Sequence, residues 1–203
     1  DRILNYSGIY EFEINVFGKH NVANATAAII SSLLVGADLK NIKKTLKNFQ
    51  GVKRRFTLLG RIQKSFIYDD YAHHPTEIKA SYAIAKHLAK KKIIVVFQPH
   101  RFSRTKELYK DFINVLKKID ILYLLDIYPA GEKPIKNISS MNLLKKIKSK
   151  KSYKVYYLSR KHDLNNELKK YYNDENLIIF MGAGSITHEA NLLVKKNNVQ
   201  KNN

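Results

Sequence analysis

There is no cysteine among the 203 residues, so neither a disulfide framework nor a thiolate metal site can be built. No apolar run approaches the roughly 20 residues needed to span a bilayer. The opening Asp1-Arg2-Ile3-Leu4-Asn5-Tyr6 has neither an initiator Met nor the apolar core of a signal peptide. Together these absences predict a cytoplasmic protein with no membrane partner, and a fragment of a longer chain. Acidic residues are scarce: 17 Asp and Glu face 37 Lys and Arg, for a formal charge of +20. Such an excess invites a nucleic-acid reading, because clustered cations gain affinity by displacing counterions from phosphates. The lysines, however, are scattered over nearly every predicted helix (Lys40, Lys43, Lys44, Lys47, Lys90 to Lys92, Lys145 to Lys151, Lys195, Lys196), with no stripe interleaved by aromatics. That pattern reads as a solvated face and argues against nucleic acid. Arginine is the rarer cation, and four of the seven, Arg54, Arg55, Arg101 and Arg104, fall in two short windows. Its planar fork grips carboxylates and phosphates bidentately, so these windows are candidate anion sites.

An apolar fraction of 44% suits a globular core, and the length fits one α/β domain with part of another. Gly8 to Phe17 alternates apolar and polar positions and predicts a strand. Helical spacing follows from Asn21 to Leu34, and Asp38 is placed to cap a second helix with Ile42, Leu46 and Phe49 inward. Arg55 to Gln63 reads as strand with a turn near Gly60, and Ser65 to Tyr68 as another. From there the units alternate: helix 76–90, strand 92–97, helix 105–118, strand 121–125, helix 141–148, strand 153–158, helix 161–172, strand 177–181 and helix 185–196, with a frayed tail from Asn197. The pattern predicts an α/β fold, a Rossmann-like, mostly parallel sheet flanked by helices.

In such sheets ligands bind at the carboxyl ends of the strands. Four predicted loops there are rich in chemistry. The first, Asp69-Asp70-Tyr71-Ala72-His73-His74, leads to Pro75 at a helix start; its plain alternative is a solvated loop whose Asp caps that helix. The second, Gln98-Pro99-His100-Arg101-Phe102-Ser103-Arg104, sets Arg101 and Arg104 three apart at a helix mouth, where they should point the same way and where free N-H groups favour an anion; the alternative is surface arginines with a capping Ser103. The third is Asp126-Ile127-Tyr128-Pro129-Ala130-Gly131-Glu132, whose plain alternative is an ordinary turn, and the fourth is the small-residue turn Gly182-Ala183-Gly184-Ser185 into a helix, whose plain alternative is helix capping. Asn21 and Asn24 present amides that could read a purine edge or could serve as caps.

The segments Gly18 to Ala25, Gly51 to Phe56, Asp69 to Glu77, Phe97 to Thr105, Asp126 to Glu132 and Gly182 to Ile186 resemble, in order, the successive signatures of the Mur ligases. The paired histidines and Gln-Pro-His-Arg resemble the branch that adds L-alanine to UDP-N-acetylmuramate. The resemblance implies an ATP-dependent acid:amino-acid ligase of peptidoglycan synthesis working through an acyl phosphate. It implies that residues 1–53 are the tail of the central ATPase domain and 54–203 the C-terminal amino-acid domain. By position, His20, Asn21, Asn24, Arg55 and Asp70 match the ATP site. Tyr71, His73, His100, Arg101 and Arg104 match the L-alanine site, with His73 and Arg104 catalytic. ATP, L-alanine and UDP-N-acetylmuramate are the implied partners and Mg2+ the implied cofactor; no oligomeric state is assigned.

The sequence departs from the family in one respect: no Gly-x-x-x-x-Gly-Lys occurs. The magnesium ligands and the UDP pocket are expected to be missing with it, leaving no metal site here. Two other readings stand beside this one: a different Mur or folylpolyglutamate-type ligase, or a basic α/β binding module. The 203 residues alone are expected not to catalyse ligation. Incubated with ATP, UDP-N-acetylmuramate and L-alanine they should release no ADP above background; alanine-dependent release would contradict this.

Overall fold

The runs Ile93–Phe97 and Leu177–Met181 are buried at every position, as continuous apolar stretches covered on both faces should be. Around them the computed structural model describes residues 8–148, 154–159 and 163–199. It divides into one unit up to Val52 and another from Lys53 onward.

In the first unit residues 8–17 form no strand; the backbone pairs with no other strand among the described residues, and Ile9 is 97% exposed. Alternation predicts a strand only where a partner supplies the ladder. Two helices follow, α1 (Lys19–Leu34) and α2 (Leu39–Asn48). Asp38 caps α2 by accepting from the Asn41 amide at 3.0 Å. Ile42 is buried as expected, whereas Phe49, expected inward, is exposed, and α1 buries no residue at all.

The second unit is a six-stranded sheet in the order β1-β2-β6-β3-β4-β5. Its elements are β1 (Thr57–Ile62), β2 (Ser65–Asp70), α3 (Pro75–Leu88), β3 (Ile93–Phe97), α4 (Phe102–Glu107), α5 (Tyr109–Leu116), β4 (Ile121–Leu125), α6 (Ser140–Lys148), β5 (Lys154–Leu158), α7 (Leu164–Leu168), β6 (Leu177–Met181) and α8 (Ile186–Val199). Only β1 and β2 pair antiparallel; every other neighbour is parallel. The fold class is therefore the one the sequence predicts, a mostly parallel sheet flanked by helices.

Side-chain alternation splits the core in two. Ile93, Val95 and Phe97 join Ile78, Phe112 and Leu143 on one face, while Ile94 and Val96 join Tyr171, Ile186 and Ala190 on the other. The helices α3, α5 and α6 thus cover the first face and α7 with α8 the second.

Several boundaries move. Gly60 is not a turn but lies inside β1 where the register slips, and the turn falls at Gln63 and Lys64. The helix expected over 105–118 is two, broken at Leu108, where φ −98° and ψ 22° leave the helical range. The helix expected over 161–172 is α7 plus a 3₁₀ turn at Lys169–Tyr171. Ser149 to Tyr153, Arg160 to His162 and the tail from Gln200, on which parts of those expectations fall, lie outside the described residues, and α8 continues past Asn197 instead of fraying there. Among the described residues no helix is long and apolar enough to cross a membrane.

Phe97→Ala, which empties a fully buried site, is expected to cost about 3–5 kcal/mol. Ile9→Ala, at an exposed position, should stay within about 0.5 kcal/mol. Urea denaturation measures both, and equal losses would contradict this division of the core.

Candidate active site

Strand β2 does not stop at Tyr68. It carries both acids of the expected loop into the sheet, leaving Asp69 1% and Asp70 5% exposed. Asp69 accepts from the Thr187 hydroxyl at 2.9 Å, and Asp70 from the Ser81 hydroxyl at 2.7 Å and the Ala72 amide at 2.9 Å. Burial pushes both carboxyls above their ordinary range, against these hydrogen bonds and nearby arginine, which favour the charge. The paired acids thus leave the loop, and Asp70 has both oxygens engaged by its own chain. This corrects the expectation that they sit beside the histidines.

The remaining loop, Tyr71 to His74, is shaped by the start of α3. His74 is the N-cap, Pro75 takes the first turn, and Glu77 reaches back to accept from the His73 amide at 2.9 Å and the His74 amide at 3.1 Å. His74 therefore serves the helix. Partial burial works against the Glu77 charge, but the two amides, His73 and Arg55 outweigh it and hold the carboxyl below its usual range. His73 stands over this acid with Nδ1 2.8 Å from the Tyr71 carbonyl oxygen and 3.4 Å from Glu77 Oε2. A carbonyl only accepts, so Nδ1 carries a proton, and in the neutral ring Nε2 keeps its lone pair.

His100 follows β3. Its strand-like backbone bridge to Tyr128 clips the loop after β3 to the loop after β4, with Tyr128 N-H donating to the Pro99 carbonyl and Arg101 N-H to the Tyr128 carbonyl, each at 2.8 Å. The imidazole stacks on the Tyr128 ring, centroids 5.4 Å apart and planes 12° apart, and lies 5.9 Å from the His73 ring. Arg104 Nη1 is 3.2 Å from His100 Nδ1. A guanidinium only donates, so this Nδ1 is the acceptor and the proton of the neutral ring is on Nε2. Desolvation, then the charges of Arg104, His73 and Arg101, lower the His100 pKa, which keeps the ring neutral at pH 7.

Arg101 and Arg104 do not lie three apart within one helix, although both guanidiniums act on His100. Arg101 is the residue before α4, with φ 73° and ψ 137°, so the helical three-residue spacing does not apply to it. It is 50% exposed and lies 3.9 Å from Glu132. The mouth of α4 is filled by that same Glu132, which accepts from the Ser103 amide at 2.9 Å and from its hydroxyl. The anion favoured there is the protein's own.

Arg55 is exposed beside Glu77, at 3.9 Å, and its guanidinium lies 5.7 Å from the centre of the Tyr71 ring. Its neighbour Arg54, part of the same candidate anion window, is tied down. It donates to the Gly182 carbonyl at 3.0 Å, covers the Tyr71 ring at 4.5 Å, and has a buried Nε with no hydrogen-bond partner, 3.9 Å from Asp69. The glycine turn after β6 is also closed by protein groups. Gln98 accepts from the Ile186 amide and donates to Ser185 Oγ, both at 3.2 Å.

The structure thus gathers Tyr71, His73, His100 and Arg104, keeps Arg101 at the rim, and adds Glu77 and Tyr128, which the sequence reading left without roles. Glu77 had a signal, its place three residues after the cap; Tyr128 had none. His20, Asn21 and Asn24 lie on α1 in the first unit, where the Asn21 amide nitrogen is spent on the Phe17 carbonyl at 2.7 Å. A cavity of about 420 Å³, lined in part by Gln98, Asp126, Tyr128, Ser185 and Glu189, adjoins the cluster through Tyr128.

Comparison with known proteins follows the same outline. The family model for the Mur ligase, glutamate ligase domain, matches residues 54–184. A UDP-N-acetylmuramate–L-alanine ligase of Rickettsia felis is 42% identical over 195 residues, covering 94% of this chain and 41% of that protein. The same-named protein of Rickettsia canadensis is 42% identical over 198 residues, 96% of this chain and 42% of that one. Among solved structures, a UDP-N-acetylmuramate–alanine ligase from Thermotoga maritima superposes with a TM-score of 0.74 at 27% identity, over 95% of this chain and 41% of that one. The chain spans about two fifths of the length of the curated relatives it matches.

Because a positive charge beside His100 penalises its protonated form, Arg104→Met should raise the His100 midpoint toward its ordinary value. The pH titration of the His100 Cε1 proton by NMR measures this; an unchanged or lower midpoint would contradict the assigned contact.

Proposed function

The chain belongs to the Mur ligase family, and from that premise we propose that it forms the amino-acid-binding part of an ADP-forming ligase joining L-alanine to UDP-N-acetylmuramate in peptidoglycan precursor synthesis. Residues 1–53 are read as the end of an ATP-binding domain and 54–203 as the amino-acid domain. A cytoplasmic location goes with ATP as substrate.

The reaction makes an amide from a carboxylate and an amine. Phosphorylation by ATP turns the acid into an acyl phosphate; the amine then attacks the acyl carbon, the C–N bond forms, and phosphate departs with the C–O bond electrons. Two tasks fall to this site. The alanine carboxylate must be held, and its ammonium must lose a proton to become a nucleophile. Arg104 supplies the first, since its described hydrogen bonds both leave from Nη1 and the fork has further donors. Arg101 can add to it, as its 3.9 Å contact with Glu132 is longer than a hydrogen bond. His73 supplies the second. Its Nδ1–H is anchored on Tyr71, Glu77 stabilises the imidazolium that forms, and the free Nε2 lone pair accepts the proton. His100, neutral with its proton on Nε2, offers a donor for the carboxylate or for the developing oxyanion. Tyr71 walls the site beside His73, ring centroids 5.2 Å apart.

Of the proposed ATP-side residues, exposed Arg55 is free to meet a phosphate, while Asp70 fits poorly because both its oxygens are engaged. Among the described residues no group of three or more His, Asp or Glu side chains could hold a metal ion, and no step is routed through magnesium.

The observation that supports this reading most is the meeting of His73, His100 and Arg104 from two separate loops. Titrating L-alanine into the isotope-labelled chain should shift the His73 and His100 signals. Arg104→Met should weaken that response about 10-fold or more, as expected for loss of a charge-assisted hydrogen bond, with Arg104→Lys intermediate. Equal binding by all three proteins would overturn the proposal.

A further inference from the structure

Tyr128 both stacks on His100 and lines the 420 Å³ cavity. Its position is imposed from two sides. The backbone bridge to His100 fixes its Cα, and Gly184 fits against its side chain so closely that a Cβ there would lie 2.5 Å from Tyr128 Cγ, 2.8 Å from its Cβ and 2.6 Å from Gln98 Oε1. Such distances lie well inside van der Waals contact. Position 184 must therefore be glycine for Tyr128 to stand where it does, a packing requirement independent of backbone conformation.

The cavity is far larger than an alanine methyl needs. Its described lining mixes leucines with the polar groups of Gln98, Ser159, Ser185 and Glu189, a surface suited to a longer side chain with a polar end. We propose that Tyr128 is the specificity-determining partition of the amino-acid site, its ring closing the way from the His100–Arg104 subsite into this cavity and so limiting the substrate to a small side chain. The inference rests on the amino-acid-binding reading above and deepens it: Arg104 and His73 select the amino-acid head, and Tyr128 sets how much side chain is admitted.

The test uses the 203-residue chain, with L-alanine and L-glutamine as probes and the His73 and His100 NMR signals as readout. The wild type should respond to L-alanine and much less to L-glutamine. Tyr128→Ala should bind L-glutamine at least about 10-fold more tightly than the wild type does, the scale on which pockets discriminate added methylenes. Tyr128→Phe, which keeps the ring, should leave the preference as it was. Tyr128→Ser guards against a fold defect particular to the alanine variant, and the amide spectrum reports folding of each. A second readout separates a partition from mere packing: with the ring gone, water reaches His100, and its titration midpoint should rise toward the ordinary value. If the wild type and both small variants bind L-alanine but neither variant gains L-glutamine, the partition is refuted while the amino-acid site stands. If L-alanine leaves the wild type unmoved, the amino-acid reading falls and the partition with it.

Discussion

β3 and β6 are covered on both faces, which leaves no room for an unpaired polar side chain along either strand. Everything chemical in the second unit follows from that constraint. Polar groups collect where the strands end, and because the strands are parallel their carboxyl ends lie on one side of the sheet. The loops after β2, β3 and β4 then have to satisfy their own backbone groups, and they do it by clipping to one another. Tyr128 exchanges backbone hydrogen bonds with the Pro99 to Arg101 segment, and Gly182 donates its amide to the Asp70 carbonyl at 3.0 Å. The rigidity of the site thus comes from main-chain bonds between loops, with the side chains added on top.

On that frame two histidines acquire opposite tautomers. His73 rests its Nδ1 on a carbonyl, which can only accept, and His100 rests its Nδ1 on a guanidinium, which can only donate. In the neutral rings one Nε2 therefore accepts and the other donates. The proposed chemistry, in which a proton leaves an amine while a carboxylate is held, would use one group of each kind. Arginine and imidazole also act on each other: burial and, after it, the Arg104 charge depress the His100 pKa, so that the ring adjoining the guanidinium stays neutral and adds no second cation against it.

Much of this was legible in the sequence. The strands expected at 92–97 and 177–181 lie within a residue of those bounds, Pro75 marked the start of α3, and the histidine and arginine windows fell where parallel strands end. What could not be read was whatever depended on a partner distant in the chain. Residues 8–17 alternate like a strand but find no neighbour among the described residues to pair with. Arg101 and Arg104 share a spacing that implies a common direction only inside a helix, and the helix begins one residue too late. Asp69 and Asp70 look like loop acids until Thr187 and Ser81 arrive to hold them inside. Tyr128 carries no local signal because its role depends on His100 and Gly184, 28 and 56 residues away in the numbering.

The arrangement of protons on the two imidazoles is where this description is most exposed. Long-range nitrogen–proton correlation on the isotope-labelled chain near neutral pH reads the tautomer of each histidine directly. The expected result is His73 protonated at Nδ1 and His100 protonated at Nε2. Two rings in the same tautomer, or the reverse assignment, would contradict the complementary pair on which the proposed chemistry depends.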